Sequence, residues 1–181
     1  MSYKYKTQTV WYTSCLVQIF CNSQKDVVTF VPLPDKRFAM ISLQSTLNEL
    51  NAMSKNSLMQ ALDIKYLEVK EGYVKAKMPV DERTKQPFGI LHGGASLALA
   101  ETVASLGSAV LVDLNEYDIR GASVSANHVG AARQGIVFGE AKILHQGTMT
   151  HVWDVEIKDE NGTNISLARV TVIVVKKSNS K

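Results

Sequence analysis

The chain has 181 residues, of which 45% are hydrophobic and 20% are charged, and its formal net charge is +3. This length can bury the core of a single domain, and the composition is that of an ordinary globular protein. The small net charge and the lack of a basic run interleaved with aromatic residues argue against a nucleic-acid partner.

Cysteine and histidine usage favours a reducing compartment and no metal. The only two cysteines, Cys15 and Cys21, lie near the N-terminus, and a domain of this length needs no disulfide framework. The four histidines are scattered, and none pairs with another histidine, cysteine or carboxylate at a zinc spacing. We therefore expect a cytoplasmic protein without a bound metal.

Two apolar stretches require a membrane check. Residues 10–21 are interrupted by polar side chains, and no cleavage site of the signal-peptide type follows them. Residues 90–114 contain His92 and Glu101, and an ionisable residue at bilayer depth is costly. We expect no membrane partner and interpret the second stretch as a buried helix.

The first forty residues differ from the rest of the chain. Residues 3–30 mix aromatic and β-branched residues, and the run ends at Pro32 and Pro34. We predict that residues 1–39 form an appended segment outside the core and that residues 40–181 form the main domain. The alternative is an extra hairpin at 10–30 that packs on the domain, because its composition suits strands.

The rest of the chain alternates between helical and strand patterns. A helix is predicted over 46–62, with a turn near 55–57, and then two strands over 64–69 and 73–80. A long buried helix over about 95–112 is rich in Ala and Leu and has no proline. Four strands follow, near 121–129, 135–146, 149–158 and 165–175, and Asn161-Gly162 indicates a hairpin between the last two. This segregation predicts an α+β domain with one antiparallel sheet packed on one long helix.

The stretch 86–101 carries the features that acyl transfer needs. Gly93 and Gly94 stand where the long helix begins, so backbone N–H groups there can bind a ligand oxygen. Glu101 lies about two turns further along, among Ala, Val and Leu, with Ser105 on the same face. A carboxylate there pays a desolvation cost unless it is hydrogen-bonded or has a chemical task. An N–H donor and a carboxylate that acts as base or nucleophile are the equipment for acyl transfer.

Each member of this set also has a simpler explanation. A Gly-Gly pair before a helix is commonly only a turn device, and a lone His92 is more often structural than catalytic. Glu101 could form an ion pair with Arg120 or Arg169. The members in this order are far more specific than any one of them alone.

The order Gln86, His92-Gly93-Gly94 and Glu101 resembles the hotdog-fold acyl-CoA thioesterases. Within them it resembles the phenylacetic-acid-degradation type, and especially the 1,4-dihydroxy-2-naphthoyl-CoA thioesterases. The runs 78–89 and 126–129 are similar to the same group. The resemblance extends from about residue 47 to the C-terminus and does not include the first forty residues.

The resemblance implies a hotdog fold, in which an antiparallel sheet wraps one long central helix, and hydrolysis of an acyl-CoA thioester without a metal or other cofactor. Glu101 would attack the thioester carbonyl or activate water, and the Gly93 N–H would polarise that carbonyl. Gln86 and His92 would orient the reacting groups, and Ser105 would support Glu101 or the water.

The resemblance also implies a homodimer or homotetramer with sites shared between subunits, so that Gln86 and Glu101 come from different chains. Gly94, His128 and Arg133 are expected to bind the substrate. The similar proteins commonly carry an arginine where this chain has Gly130, and Arg133 could supply the charge for the coenzyme A phosphates from a shifted position. His145 and His151, on strand-like runs, are expected to be structural.

Two other functions remain open. A hotdog hydratase or dehydratase would use a histidine and an acidic residue, here His92 and Glu101, for proton transfer at carbon, although the run 86–94 fits thioesterases better. A non-catalytic acyl-CoA-binding regulator would lack the catalytic carboxylate and carry a DNA-binding module. Glu101 is present and the first forty residues show no helix-turn-helix pattern, so thioester hydrolysis is preferred.

Overall fold

The computed structural model describes residues 7–12, 15–20, 29–32 and 41–177. The chain divides into two compact units, Met1–Met40 and Ile41–Lys181. The first contains strands β1 (Thr7–Tyr12), β2 (Cys15–Phe20) and β3 (Thr29–Pro32), which form an antiparallel sheet in that order. The β-branched and aromatic content of this segment suits strands.

The second unit begins with two short helices, α1 (Leu47–Ala52) and α2 (Leu58–Ala61), which break near the predicted turn. Thr46 begins α1 with a capping box: its hydroxyl accepts from the Glu49 N–H, and the Glu49 carboxylate accepts from the Thr46 N–H at 2.8 Å. This arrangement uses two amides that a helix start otherwise leaves free. The Leu50 side chain of α1 is buried in the core.

The described part of the second unit contains the strands β4 (Lys65–Lys70), β5 (Tyr73–Pro79), β6 (Tyr117–His128), β7 (Ile136–Gln146), β8 (Thr150–Asp159) and β9 (Asn164–Lys176). They form one antiparallel sheet in the order β4-β5-β7-β8-β9-β6. This confirms the predicted antiparallel sheet. Gly72, between β4 and β5, and Gly162, between β8 and β9, have φ values of 69° and 79°, a backbone conformation that glycine adopts without strain.

Helix α3 (Gly93–Ala109) packs against the sheet and touches all six of its strands. Leu99 and Val103 are fully buried. A Cβ atom on Gly107 would lie 2.4 Å from the Trp153 ring, so this glycine permits the close approach of helix and sheet. The predicted α+β architecture, with one antiparallel sheet around one long central helix, is confirmed.

The boundaries of α3 differ slightly from the predicted 95–112. The helix begins two residues earlier because His92 caps it, and it ends at Ala109. In the part of the chain that the structure describes, no helix is long and apolar enough to cross a membrane.

Candidate active site

One backbone N–H at the start of α3 has no acceptor in the part of the chain that the structure describes. The His92 ring accepts the Gly94 N–H at its Nδ1 atom, at 2.8 Å, and the next two amides donate to the His92 carbonyl oxygen. Among the described residues, the Gly93 N–H has no acceptor. A free N–H at a helix start attracts a ligand oxygen, and Gly93 is the residue predicted to polarise the substrate carbonyl.

The two glycines are explained by close packing rather than by a turn. Neither has a positive φ. A Cβ atom on Gly93 would lie 2.5 Å from Nε2 of His128, and one on Gly94 would lie 2.9 Å from Nδ1 of His92. The Gly94 N–H is already bonded to His92 and is therefore not a free donor for a ligand. Gly94 can contribute to the predicted substrate site only because its lack of a side chain leaves space there.

His128, at the end of β6, is brought beside Gly93 by the fold. Its Nδ1 atom lies 3.1 Å from the hydroxyl of Ser166, which is fully buried, and its Nε2 atom faces Gly93. The structure therefore places His128, one of the predicted substrate-binding residues, beside the start of α3. Ser166 was not predicted, since a serine in a strand carries no signal of such a contact.

Glu101 is exposed in the protomer. The expectation that apolar neighbours bury its carboxylate is therefore wrong for a single chain. The reason is that its carboxylate lies over the edge strand β6, against Gly121, rather than over the middle of the sheet. Its side chain makes no hydrogen bond or ion pair with any residue the structure describes. Arg120 is paired with Asp118 at 3.7 Å, and Arg169 with Asp154 at 3.1 Å.

Neither arginine forms an ion pair with Glu101 in this protomer. Ser105, one turn further along the same face, is half-buried. Its hydroxyl makes no hydrogen bond with Glu101 in this protomer. Its predicted supporting role stays a prediction.

Gly93 and Glu101 are too far apart on one helix to act on the same carbonyl group. Eight residues of α-helix span about 12 Å along the axis and turn through roughly 80°. An oxyanion donor and an attacking group must both lie about 3 Å from the reacting centre. A single protomer therefore offers two separated halves of an acyl-transfer site.

Gln86 lies in a loop whose backbone is well held. Its N–H donates to the Ile90 carbonyl oxygen, and its own carbonyl oxygen accepts from the Gly89 N–H, both at 2.9 Å. Gly89 has a φ of 75°, and Phe88 at the tip of this turn is 83% exposed. The half-buried Gln86 side chain has no hydrogen bond to the described residues, so its amide can bind a ligand.

Arg133 is exposed close to the helix start. The carbonyl oxygen of its neighbour Ala132 accepts the Leu91 N–H at 2.8 Å. At Gly130, a Cβ atom would lie 2.4 Å from the Asn164 carbonyl oxygen. A side chain at this position would require the backbone to move, so Arg133 remains the candidate for a phosphate contact.

The remaining histidines lie away from these residues. His151 is 2% exposed and lines a depression with Leu111 and Asp113, beyond the C-terminal end of α3. Burial, together with the neighbouring His145, lowers the pKa of His151. The described residues contain no group of three or more histidine, cysteine, aspartate or glutamate side chains that could hold a metal ion.

The thioesterase superfamily model matches residues 88–166, a range that includes Gly93, Glu101 and His128. A 1,4-dihydroxy-2-naphthoyl-CoA hydrolase from Escherichia coli is 42% identical over 130 residues, which cover 72% of this chain and 95% of that protein.

Solved structures show the same likeness. A mutant of thioesterase PA1618 from Pseudomonas aeruginosa has a TM-score of 0.72 and 41% identity, over 74% of this chain and 96% of that one. Two mutants of SAV0944 from Staphylococcus aureus, a protein described as a thioesterase enzyme, are 42% identical with TM-scores of 0.64 and 0.65. They cover 65% and 66% of this chain and 98% and 99% of theirs. The chain therefore belongs to the thioesterase superfamily and has its hotdog fold, and this membership supports thioester hydrolysis as its general activity.

Proposed function

We propose that the protein hydrolyses an acyl-CoA thioester to the free acid and coenzyme A, with Glu101 and the Gly93 N–H acting on the thioester carbonyl. The observation that carries this proposal is that each group is unpaired among the described residues. Within the described ranges, the Gly93 N–H at the start of α3 has no acceptor, and the Glu101 carboxylate has no hydrogen-bond or ion-pair partner. Hydrogen-bond donors aimed at a developing oxyanion stabilise the transition state of acyl transfer.

Two chemical roles suit Glu101. As a general base it takes a proton from water, whose oxygen attacks the carbonyl carbon. As a nucleophile it forms an anhydride with the acyl group, which water then hydrolyses. In both cases the carbon–sulfur bond breaks and the sulfur leaves as the coenzyme A thiolate, which takes up a proton.

His92 and Gln86 are suited to orienting the thioester. Because Nδ1 of His92 accepts the Gly94 N–H, the neutral ring carries its proton on Nε2 and can donate from there. The Gln86 amide offers both a donor and an acceptor. Ser105 would support Glu101 or the attacking water.

The complete site would form between two copies of the chain. Gly93 and Glu101 of one protomer are separated by about 12 Å along α3. If α3 of a second protomer runs alongside in the opposite direction, Gly93 of each chain lies beside Glu101 of the other. Among the strands that the structure describes, β6 lies at an edge of the sheet and pairs only with β9, and exposed edges favour association. The loop of Gln86 is tied to the start of α3 by the backbone bridge between Lys85 and Leu91. A homodimer, or a homotetramer built from such dimers, would therefore place Gly93 and Gln86 of one chain beside Glu101 of its partner.

Two solved relatives support the choice of Gln86 and Glu101. In the two solved S. aureus mutants a glutamine and a glutamate were replaced by alanine, and these lie fifteen positions apart, as do Gln86 and Glu101. We further propose that the chain is a thioesterase of the phenylacetic-acid-degradation type and that it is cytoplasmic. His128 and Arg133 would bind the substrate. The named activity of the E. coli relative makes aromatic acyl-CoAs the first substrates to test.

The test is thiol release from a panel of aromatic and aliphatic acyl-CoAs, including 1,4-dihydroxy-2-naphthoyl-CoA. Glu101→Gln keeps the shape of the side chain but is neither a useful base nor a nucleophile, so turnover should fall about 10²–10⁴-fold with an unchanged melting temperature. Glu71→Gln, at an exposed turn, is the matched control. Near wild-type turnover of Glu101→Gln would remove this residue from the mechanism, and no thiol release from any acyl-CoA would refute the function.

A further inference from the structure

Gly121 faces α3 from the edge strand β6. Ile119, Val124 and Ala126 of this strand pack against the core, and the pairing of β6 with β9 shifts register between Gly121 and Ser123. Side chains alternate between the two faces of a strand, and a bulge shifts that alternation. Gly121, two residues after Ile119 and before the bulge, therefore lies on the face that α3 covers.

The Glu101 carboxylate occupies the space that a side chain on Gly121 would need. A Cβ atom built there would lie 2.1 Å from Oε1 and 3.1 Å from Cδ of Glu101. Gly121 has no positive φ, unlike Gly72 or Gly89, so backbone conformation does not explain the glycine. Glycine inside a strand often marks a close approach of another group, and here that group is the candidate catalytic carboxylate.

We propose that Gly121 is a positioning residue for Glu101, an inference that rests on the proposed function. The Glu101 side chain makes no hydrogen bond or ion pair with the described part of the chain, so packing over the bare backbone of Gly121 sets where its carboxylate lies. Because attacking groups act only in a narrow geometry, a displacement of about 1 Å can reduce turnover on the order of 100-fold.

A methyl group on Gly121 should disturb the carboxylate far more than the fold. The nearest atom is the far end of a flexible side chain, which can rotate away at little cost in stability. A structural glycine would behave differently: at Gly139 on β7, which faces the same helix, a Cβ atom would meet the buried side chain of Leu99 at 2.9 Å. Gly139→Ala is thus the matched control for glycine replacement in this sheet.

The experiment compares kcat, KM and melting temperature for these two variants on the best acyl-CoA. Gly121→Ala should lower kcat about 10- to 100-fold, with KM and melting temperature close to the wild-type values. Gly139→Ala should lower the melting temperature and keep kcat close to wild type. A near wild-type kcat for Gly121→Ala would overturn the inference.

A second-site change tests whether the effect passes through Glu101. Glu101→Asp shortens the side chain by one methylene group and withdraws the carboxylate from Gly121. If the two residues interact directly, Gly121→Ala should reduce kcat about tenfold less in the Glu101→Asp background than in the wild type. Equal losses in both backgrounds would mean that the added methyl acts elsewhere, and the inference would be wrong.

Failure of this inference can be told from failure of the proposed function. If the wild type releases thiol and Glu101→Gln does not, the function stands whatever Gly121→Ala does. If Gly121→Ala is insoluble, the double variant with Glu101→Ala decides. A soluble double variant shows that the added methyl collides with the carboxylate, whereas an insoluble one places the collision elsewhere and overturns the inference.

Discussion

His92 combines two roles that substitution can separate. Its Nδ1 atom accepts the Gly94 N–H and so caps α3, which leaves Nε2 to bind substrate. Asparagine is among the best N-cap residues because its side-chain oxygen accepts the same kind of hydrogen bond. Alanine has no such atom.

We therefore expect His92→Ala to lower the free energy of unfolding by about 1 kcal/mol, and His92→Asn to keep close to wild-type stability. Both variants should lose turnover, because neither retains the imidazole. Chemical denaturation and thiol-release kinetics measure the two effects separately. If His92→Asn is fully active, the imidazole has no role in turnover and His92 serves only to cap α3.

At the level of elements, α3 is joined to the sheet by a buried hydrogen bond. Nε1 of Trp153 on β8 donates to the Ser108 hydroxyl at 2.9 Å, and both residues are fully buried. Gly107 beside Ser108 lets the indole approach the helix. A buried donor that loses its acceptor retains its full desolvation penalty.

Ser108→Ala should therefore reduce the free energy of unfolding by about 1–3 kcal/mol. In a Trp153→Phe background the same substitution should cost much less, because the indole N–H that needed an acceptor is gone. Urea unfolding followed by circular dichroism gives the four values of this double-mutant cycle. Equal costs in both backgrounds would show that the hydrogen bond contributes no coupling energy.

At the scale of the whole molecule, a site shared between protomers can be tested by complementation. Glu101→Gln and Gln86→Ala should each be inactive alone. In a mixed dimer, one of the two sites receives the intact Gln86 of one chain and the intact Glu101 of the other. Refolding the two variants together should restore about a quarter of wild-type activity, because random twofold pairing makes half the dimers mixed.

The matched control is a mixture of Glu101→Gln with Glu101→Ala, which can form no intact site. Light scattering of each preparation checks that dimers or tetramers are present. An inactive mixture of the first pair, with mixed oligomers demonstrated, would place Gln86 and Glu101 in sites of a single chain.

Residues 1–39, which lie in the N-terminal unit, are predicted to be dispensable. Residues 40–181 expressed alone should be soluble, with a melting temperature and turnover close to those of the full chain, because the described residues from Leu50 to Val172 already form one contiguous hydrophobic core around α3. An insoluble product, or one that melts several degrees lower without activity, would show that residues 1–39 belong to the fold.

Local sequence patterns determined most of the elements and most of the candidate site. Alternating apolar residues and the Asn161-Gly162 turn predicted the strands of the sheet, and the Ala-rich run predicted α3. The order of Gln86, His92 and Glu101 identified the family, because these residues are close in sequence. The predicted start of α3 is two residues later than the observed one, because histidine is not among the usual N-cap residues.

Contacts between distant residues were decided only by the tertiary structure. The sheet order places β6 at an edge, far from β5 which precedes it in the chain, and nothing in the local pattern specifies that position. This one placement exposes Glu101, puts Gly121 beneath its carboxylate and brings His128 against Gly93. Hydrophobic periodicity shows which residues face the core, but it does not show which of them meet there, because that depends on how the strands are arranged around the helix.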